Sequence, residues 1–112
     1  MIKHNYNHTI GGDNVLSKIP IDLERVRKED ITKEVLRVAI IAELDAINLY
    51  EELASMTDDE DIKKVFMDVA QEEKTHVGEF RTLLMEEDEE QYREIKKGQK
   101  EVEELTGKKY PL

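Results

Sequence analysis

SMTDDEDI, Ser55 to Ile62, separates two long runs of helical periodicity and decides how they are arranged. Thr57-Asp58-Asp59-Glu60 has the Thr-x-x-Glu form of a capping box, in which the Thr hydroxyl accepts from the Glu60 backbone N–H while the Glu60 carboxylate reaches back. A helix is therefore expected to start here. On the N-terminal side, Val35, Leu36, Ala39, Ile40, Glu43, Ile47, Tyr50 and Leu53 make an apolar stripe with no Gly or Pro, from a cap at Asp30 or Thr32 to about Met56. On the C-terminal side the stripe is Ile62, Val65, Phe66, Val69, Glu73, His76, Val77, Phe80, Leu83 and Leu84, ending near Glu87. Two helices of roughly twenty-five residues joined by about two or three residues have to fold as an antiparallel hairpin.

Further out the signals weaken. Asp88 to Gln91 repeats the cap pattern, and Tyr92, Ile95, Val102 and Leu105 predict a shorter third helix, weakened at Gly98 and stopped near Gly107. The first segment, MIKHNYNHTIGGDNVLSKIP, has no sustained period and reads as an arm, and IDLERVRKEDI after it as a short helix or an extended lead-in. The domain organisation is thus a lead-in over residues 1–29 and one helical domain over 30–112. The fold class is all-α, an antiparallel two-helix hairpin plus a shorter C-terminal helix. Such a hairpin is half of a four-helix bundle, and dimerisation would complete it.

Composition agrees with an incomplete core. The chain has 112 residues, 38% of them hydrophobic, with no Trp, so little apolar surface is available to a free monomer and a homo-oligomer is expected. A net charge of −10 argues against nucleic acid or an anionic membrane and for cationic ligands, of which metal ions are the smallest. The absence of Cys excludes disulfides, thiolate zinc sites, iron–sulfur clusters and thiol nucleophiles. With no apolar run of membrane length and no leader pattern, a soluble cytoplasmic protein is expected.

One residue breaks the pattern of each stripe. Glu43 lies among Leu36, Ala39, Ile40, Ile47 and Tyr50, and Glu73 among Val69, Val77 and Phe80. Both stand about fifteen residues from the turn, roughly 22 Å along the helix, so the hairpin puts them in one layer. Glu73 and His76 add Glu-x-x-His, whose i, i+3 spacing sets both side chains on one face. An unpaired carboxylate on a core face costs several kcal/mol, so something must compensate. A Glu from one helix with Glu-x-x-His from the next is half the ligand set of the ferritin-like di-iron carboxylate bundles. No second Glu-x-x-His occurs, so a full two-metal site needs two chains about a two-fold axis. Carboxylate and imidazole donors suit iron, two Fe per dimer, with Mn, Zn or Ca as substitutes.

Glu43, Tyr50 seven residues on, Glu73 and His76 resemble the pattern of the encapsulated ferritins, half-bundle ferritin-like proteins associated with encapsulin nanocompartments. The similarity covers roughly residues 30 to 107 and is closest in IIAELDAINLYEEL and VAQEEKTHVGEF; it is nearest to archaeal versions fused ahead of an encapsulin shell. The resemblance implies a ferroxidase for iron storage or detoxification. By it Glu43, Glu73 and His76 are the iron ligands, Tyr50 is a group beside the metals, and Asp45, Asp68 and Glu72 mark the route by which metal enters. It also implies a ring of dimers, a decamer, with the di-iron sites at dimer interfaces and an encapsulin shell as partner and compartment. Ala42 and Leu49 stand where some members carry a carboxylate and a Trp, and GKKYPL at the end is no recognisable shell-docking tail.

Plainer roles compete for each residue. Glu43 and Glu73 would be stripe-edge carboxylates paired with Lys or Arg, His76 a packed histidine, and Tyr50 a core ring. Asp45, Asp68, Glu72 and the run EEDEEQ would be solvated acidic surface, and Met56, Met67 and Met85 fillers. His4 and His8 carry no site. With those roles the chain would be a non-catalytic helical oligomerisation module; with the metal ligands kept, a rubrerythrin-like di-metal peroxidase is the other alternative.

Overall fold

The computed structural model describes residues 27–111. The expected arm, with His4 and His8, falls at residues 1–26 and lies outside the described residues. Described structure begins with a single 3-10 turn, Lys28–Asp30, at the end of the expected lead-in. Three helices follow: α1, Ile31–Met56; α2, Glu60–Glu87; and α3, Glu89–Thr106. No strand occurs among the described residues.

The hairpin forms, but its cap differs from the expected box. Asp59, not Thr57, is the N-cap of α2: its Oδ1 accepts from the Asp61 and Ile62 amides at 2.9 and 3.1 Å. Thr57 is the extended residue that closes α1, and its hydroxyl accepts from the Asp59 amide at 3.2 Å. An aspartate directly before the first turn caps at least as well as threonine and adds charge complementary to the helix dipole. Asp30, one of the two residues expected to start α1, does occupy its N-cap position, but without a capping bond. Its backbone angles are helical, and Arg27 holds its carboxylate at 2.7–2.8 Å instead.

α1 and α2 pack along their length, while among the described elements α3 meets only α2. Small side chains let the hairpin close, with Ala54, Ala70 and Leu84 its buried apolar residues, and Tyr50 stacks on Phe66 at a centroid distance of 6.1 Å. A two-helix layer covers one side of each helix only. Val35, Ile41 and Leu44 of α1 and Ile62, Val65 and Leu83 of α2 stay largely exposed. No helix among the described residues is long and apolar enough to cross a membrane.

Asp88 joins the three helices. Its Oδ1 caps α3 through the Gln91 amide at 3.1 Å, and its Oδ2 accepts from Arg37 of α1, although its side chain is only 8% exposed. The Gln91 amide, and then Lys33 and Arg37, hold its carboxyl below the usual value of 3.8. A depressed native pKa stabilises the fold above the unfolded value, and that stability is lost as pH falls through the native one. Asp88→Ala, which removes cap and ion pair together, is expected to lower the melting temperature by about 5 °C. Asp88→Asn is expected to flatten the loss of stability below about pH 4 that the parent shows, read by thermal melts across pH.

Candidate metal centre

Helix pairing brings Glu43, Glu73 and His76 together. His76 Nδ1 lies 3.3 Å from Glu43 Oε2 and 3.6 Å from Glu73 Oε2, and one donor atom from each residue falls within 4.8 Å of the other two. Glu73 and His76 meet because they are one turn apart on α2, and Glu43 because the short Thr57–Asp59 connection sets its level on α1. Among the described residues no Lys or Arg pairs with Glu43 or Glu73, so the surface ion-pair role does not account for them.

Burial and mutual repulsion govern the charges. Both glutamates are 19% exposed at the side chain, and burial, reinforced by Glu73, pushes the Glu43 carboxyl above its usual 4.5 despite His76. For His76 partial burial acts downward, but Glu43, Glu73 and Glu79 together lift it above 6.5. Glu43 and His76 thus hold protons more tightly than free side chains do.

The donor set fits a hard or borderline cation: two carboxylates and an imidazole, with no thiolate. Two donors about 2.1 Å from one ion stand at most about 4.2 Å apart, so distances of 3.3 and 3.6 Å already match a shared ion. The set is also one-sided. His76 is 42% exposed and shares its strip of α2 with Val65, 62% exposed, and Leu83, so the open side of the site faces the uncovered apolar surface.

The other expected residues lie around the trio. Tyr50 sits two turns along α1 from Glu43 with its ring against Phe66, and no hydrogen bond ties it to the trio. Asp45 is half-buried on α1 and engaged with its surroundings, and Asp68 and Glu72 are exposed on α2. Glu79, which acts on His76, was legible from its i, i+3 spacing but not singled out. The Arg37–Asp88 pair, fifty-one residues apart, leaves no such signal.

The comparisons with known proteins bear on the family and the fold. The rubrerythrin family model matches residues 34–110. A ferritin-like–encapsulin shell fusion protein of Pyrococcus furiosus is 59% identical over 80 residues, covering 71% of this chain and 23% of its own length. An encapsulin nanocompartment cargo protein of Myxococcus xanthus is 45% identical over 56 residues, 50% of this chain and 43% of that protein. The chain therefore spans less than half the length of these two relatives. The crystal structure of the encapsulated ferritin domain from Pyrococcus furiosus superposes with a TM-score of 0.71 at 51% identity, covering 82% of this chain and 92% of that one. The half-bundle, the Glu–Glu–His layer and these matches together place the chain in the rubrerythrin-type ferritin-like proteins, as a member of the encapsulated ferritin family.

Proposed function

We propose that this domain is a ferroxidase half-site, with two chains pairing so that their Glu43, Glu73 and His76 sets face one another and bind two Fe(II) as substrate. The observation that carries this reading is the trio itself: three ligating groups converge on an otherwise apolar face, open on the side that a second chain would cover. In the net reaction two Fe(II) lose one electron each, and dioxygen takes both electrons with two protons and leaves as hydrogen peroxide. The six side chains hold the ions close together, and their anionic oxygens favour the ferric state. Tyr50 packs on Phe66 two turns along α1 and steadies the hairpin beside the site, and Asp45, Asp68 and Glu72 raise the local cation concentration on the way in.

The small bundle encloses no volume for ferric product, so a surrounding compartment suits the chemistry. The two curated relatives are named for encapsulins, which supports an encapsulin shell as partner and location, with a homodimer built into a larger ring. A second reading has its own support. The matching family model is that of rubrerythrin, and a peroxidase would oxidise the same two Fe(II) with hydrogen peroxide, yielding two waters for two protons consumed. Stopped-flow absorbance with each oxidant in turn separates the two. Ferroxidase action requires oxidation by dioxygen alone, and dependence on added peroxide would establish the second reading instead.

Binding is testable without turnover. Redox-silent Zn(II) added to the metal-free protein is expected to raise the melting temperature, by the equivalent of about 2.7 kcal/mol at a hundredfold excess over the dissociation constant, and a chelator is expected to reverse it. Calorimetric scans with and without chelator read this directly. No shift with Zn(II), Mn(II) or Fe(II) would contradict the site.

A further inference from the structure

Among the described residues Asp88 is the one buried charged side chain, and it lies outside the metal site. It is also the whole of a joint. Asp88 alone, in an extended conformation (φ −128°, ψ 91°), separates Glu87 at the end of α2 from Glu89 at the start of α3. Its amide donates to the Leu84 carbonyl at 2.8 Å and its carbonyl accepts from the Tyr92 amide at 3.1 Å, so its backbone is bonded into both helices. The direction in which α3 leaves the hairpin therefore turns on the two torsions of one residue.

Packing does little to fix that direction. Among the described elements α3 packs on α2 and not on α1, and Val102 and Leu105 in its second half are exposed. What reaches the joint from α1 is Arg37, whose guanidinium donates to Asp88 Oδ2. Neighbouring charges are otherwise engaged or stand at the rim: Asp30 is held by Arg27 and Lys33 at 2.7 and 3.8 Å, and Glu34 and Glu90 line the same cleft. The two members of the Arg37–Asp88 pair thus sit on different arms, one on the hairpin and one at the root of α3.

An ion pair with a buried member is a weak source of stability, because desolvation offsets much of the attraction, yet a buried charge left without its partner is strongly unfavourable. Such a pair selects the geometry in which both charges are matched. We infer that Arg37 and Asp88 form a latch that holds α3 at one angle to the hairpin. Without the guanidinium, α3 swings about the joint and Asp88 regains water. The inference stands apart from the metal site, whose ligands all lie on the two hairpin helices.

The full chain has no Cys, so nitroxide labels on Gln71→Cys in α2 and Glu101→Cys in α3, both exposed positions, report the angle. Labelled chains co-assembled with an excess of unlabelled ones give distances within one chain by double electron–electron resonance. The parent is expected to show one narrow distance. Arg37→Met, and Asp88→Asn, which keeps a good capping side chain, are each expected to give a distribution broader or displaced by several Å. The scale follows from the lever: a swing of about 20° carries position 101, about 20 Å along α3 from the joint, through about 7 Å. The double variant is expected to add nothing to the single ones, since both remove the same contact, and helicity by circular dichroism is expected to stay at the parental level. A narrow, unshifted distance in either variant, or a broad one in the parent, would overturn the inference. Broadening with loss of helicity would overturn it too, because the pair would then support the folding of α3 rather than its direction.

Discussion

Glu73→Ala is expected to slow aerobic Fe(II) oxidation by at least about 100-fold while leaving the metal-free fold as stable as the parent or more so. The magnitude follows from position. Loss of outer-shell partners alone typically costs 10- to 100-fold, and Glu73 is placed to bind metal directly. The opposite sign on stability follows from the electrostatics: Glu73 sits beside Glu43 on a largely buried face and raises its pKa, so in the absence of a cation the pair repels. Removing one member relieves that repulsion, the trade expected where a site is strained for function. His76→Ala is expected to match the loss of oxidation. Stopped-flow oxidation and thermal melts on the same samples test both halves, and a Glu73→Ala protein that oxidised Fe(II) at the parental rate would remove Glu73 from the site.

Val65→Lys with Leu83→Lys carries the second large effect. Both side chains are exposed in the single chain and flank His76 on the strip that the second chain would cover. Two lysines at the centre of an apolar contact cost about 4 kcal/mol of association, roughly a thousandfold in dissociation constant. The variant is expected to sediment as a monomer and to lose iron oxidation, although none of its own ligands has changed. An active monomer would show that one chain suffices.

What the sequence revealed depended on whether the signal was local. The hairpin was legible because Thr57–Glu60 is polar and short between two uninterrupted stripes, and the Glu43–Glu73 layer because both stand the same distance from that turn. Glu-x-x-His was legible because helical spacing is read within one turn. The cap was misplaced since Thr57, Asp58 and Asp59 are all good cap residues, and only backbone angles select Asp59. Asp88 was recognised as a cap, but its partner Arg37 comes from the far end of another helix, and only tertiary packing brings them together.

Tyr50 shows the same limit from the other side. Its seven-residue spacing from Glu43 sets it on the same face of α1, two turns away, and its ring is taken up by Phe66 of α2. Periodicity gave its face correctly; which neighbour that face met depended on how the second helix was placed.

The central claim is that one two-iron site is shared by two chains, and counting Fe(II) oxidised per chain in a single fast phase tests it most directly. Stepwise addition of Fe(II) to the assembled protein is expected to give a fast phase that saturates at about one Fe(II) per chain and is absent from the Val65→Lys, Leu83→Lys monomer. Saturation at about two per chain, or a fast phase that survives in the monomer, would contradict it.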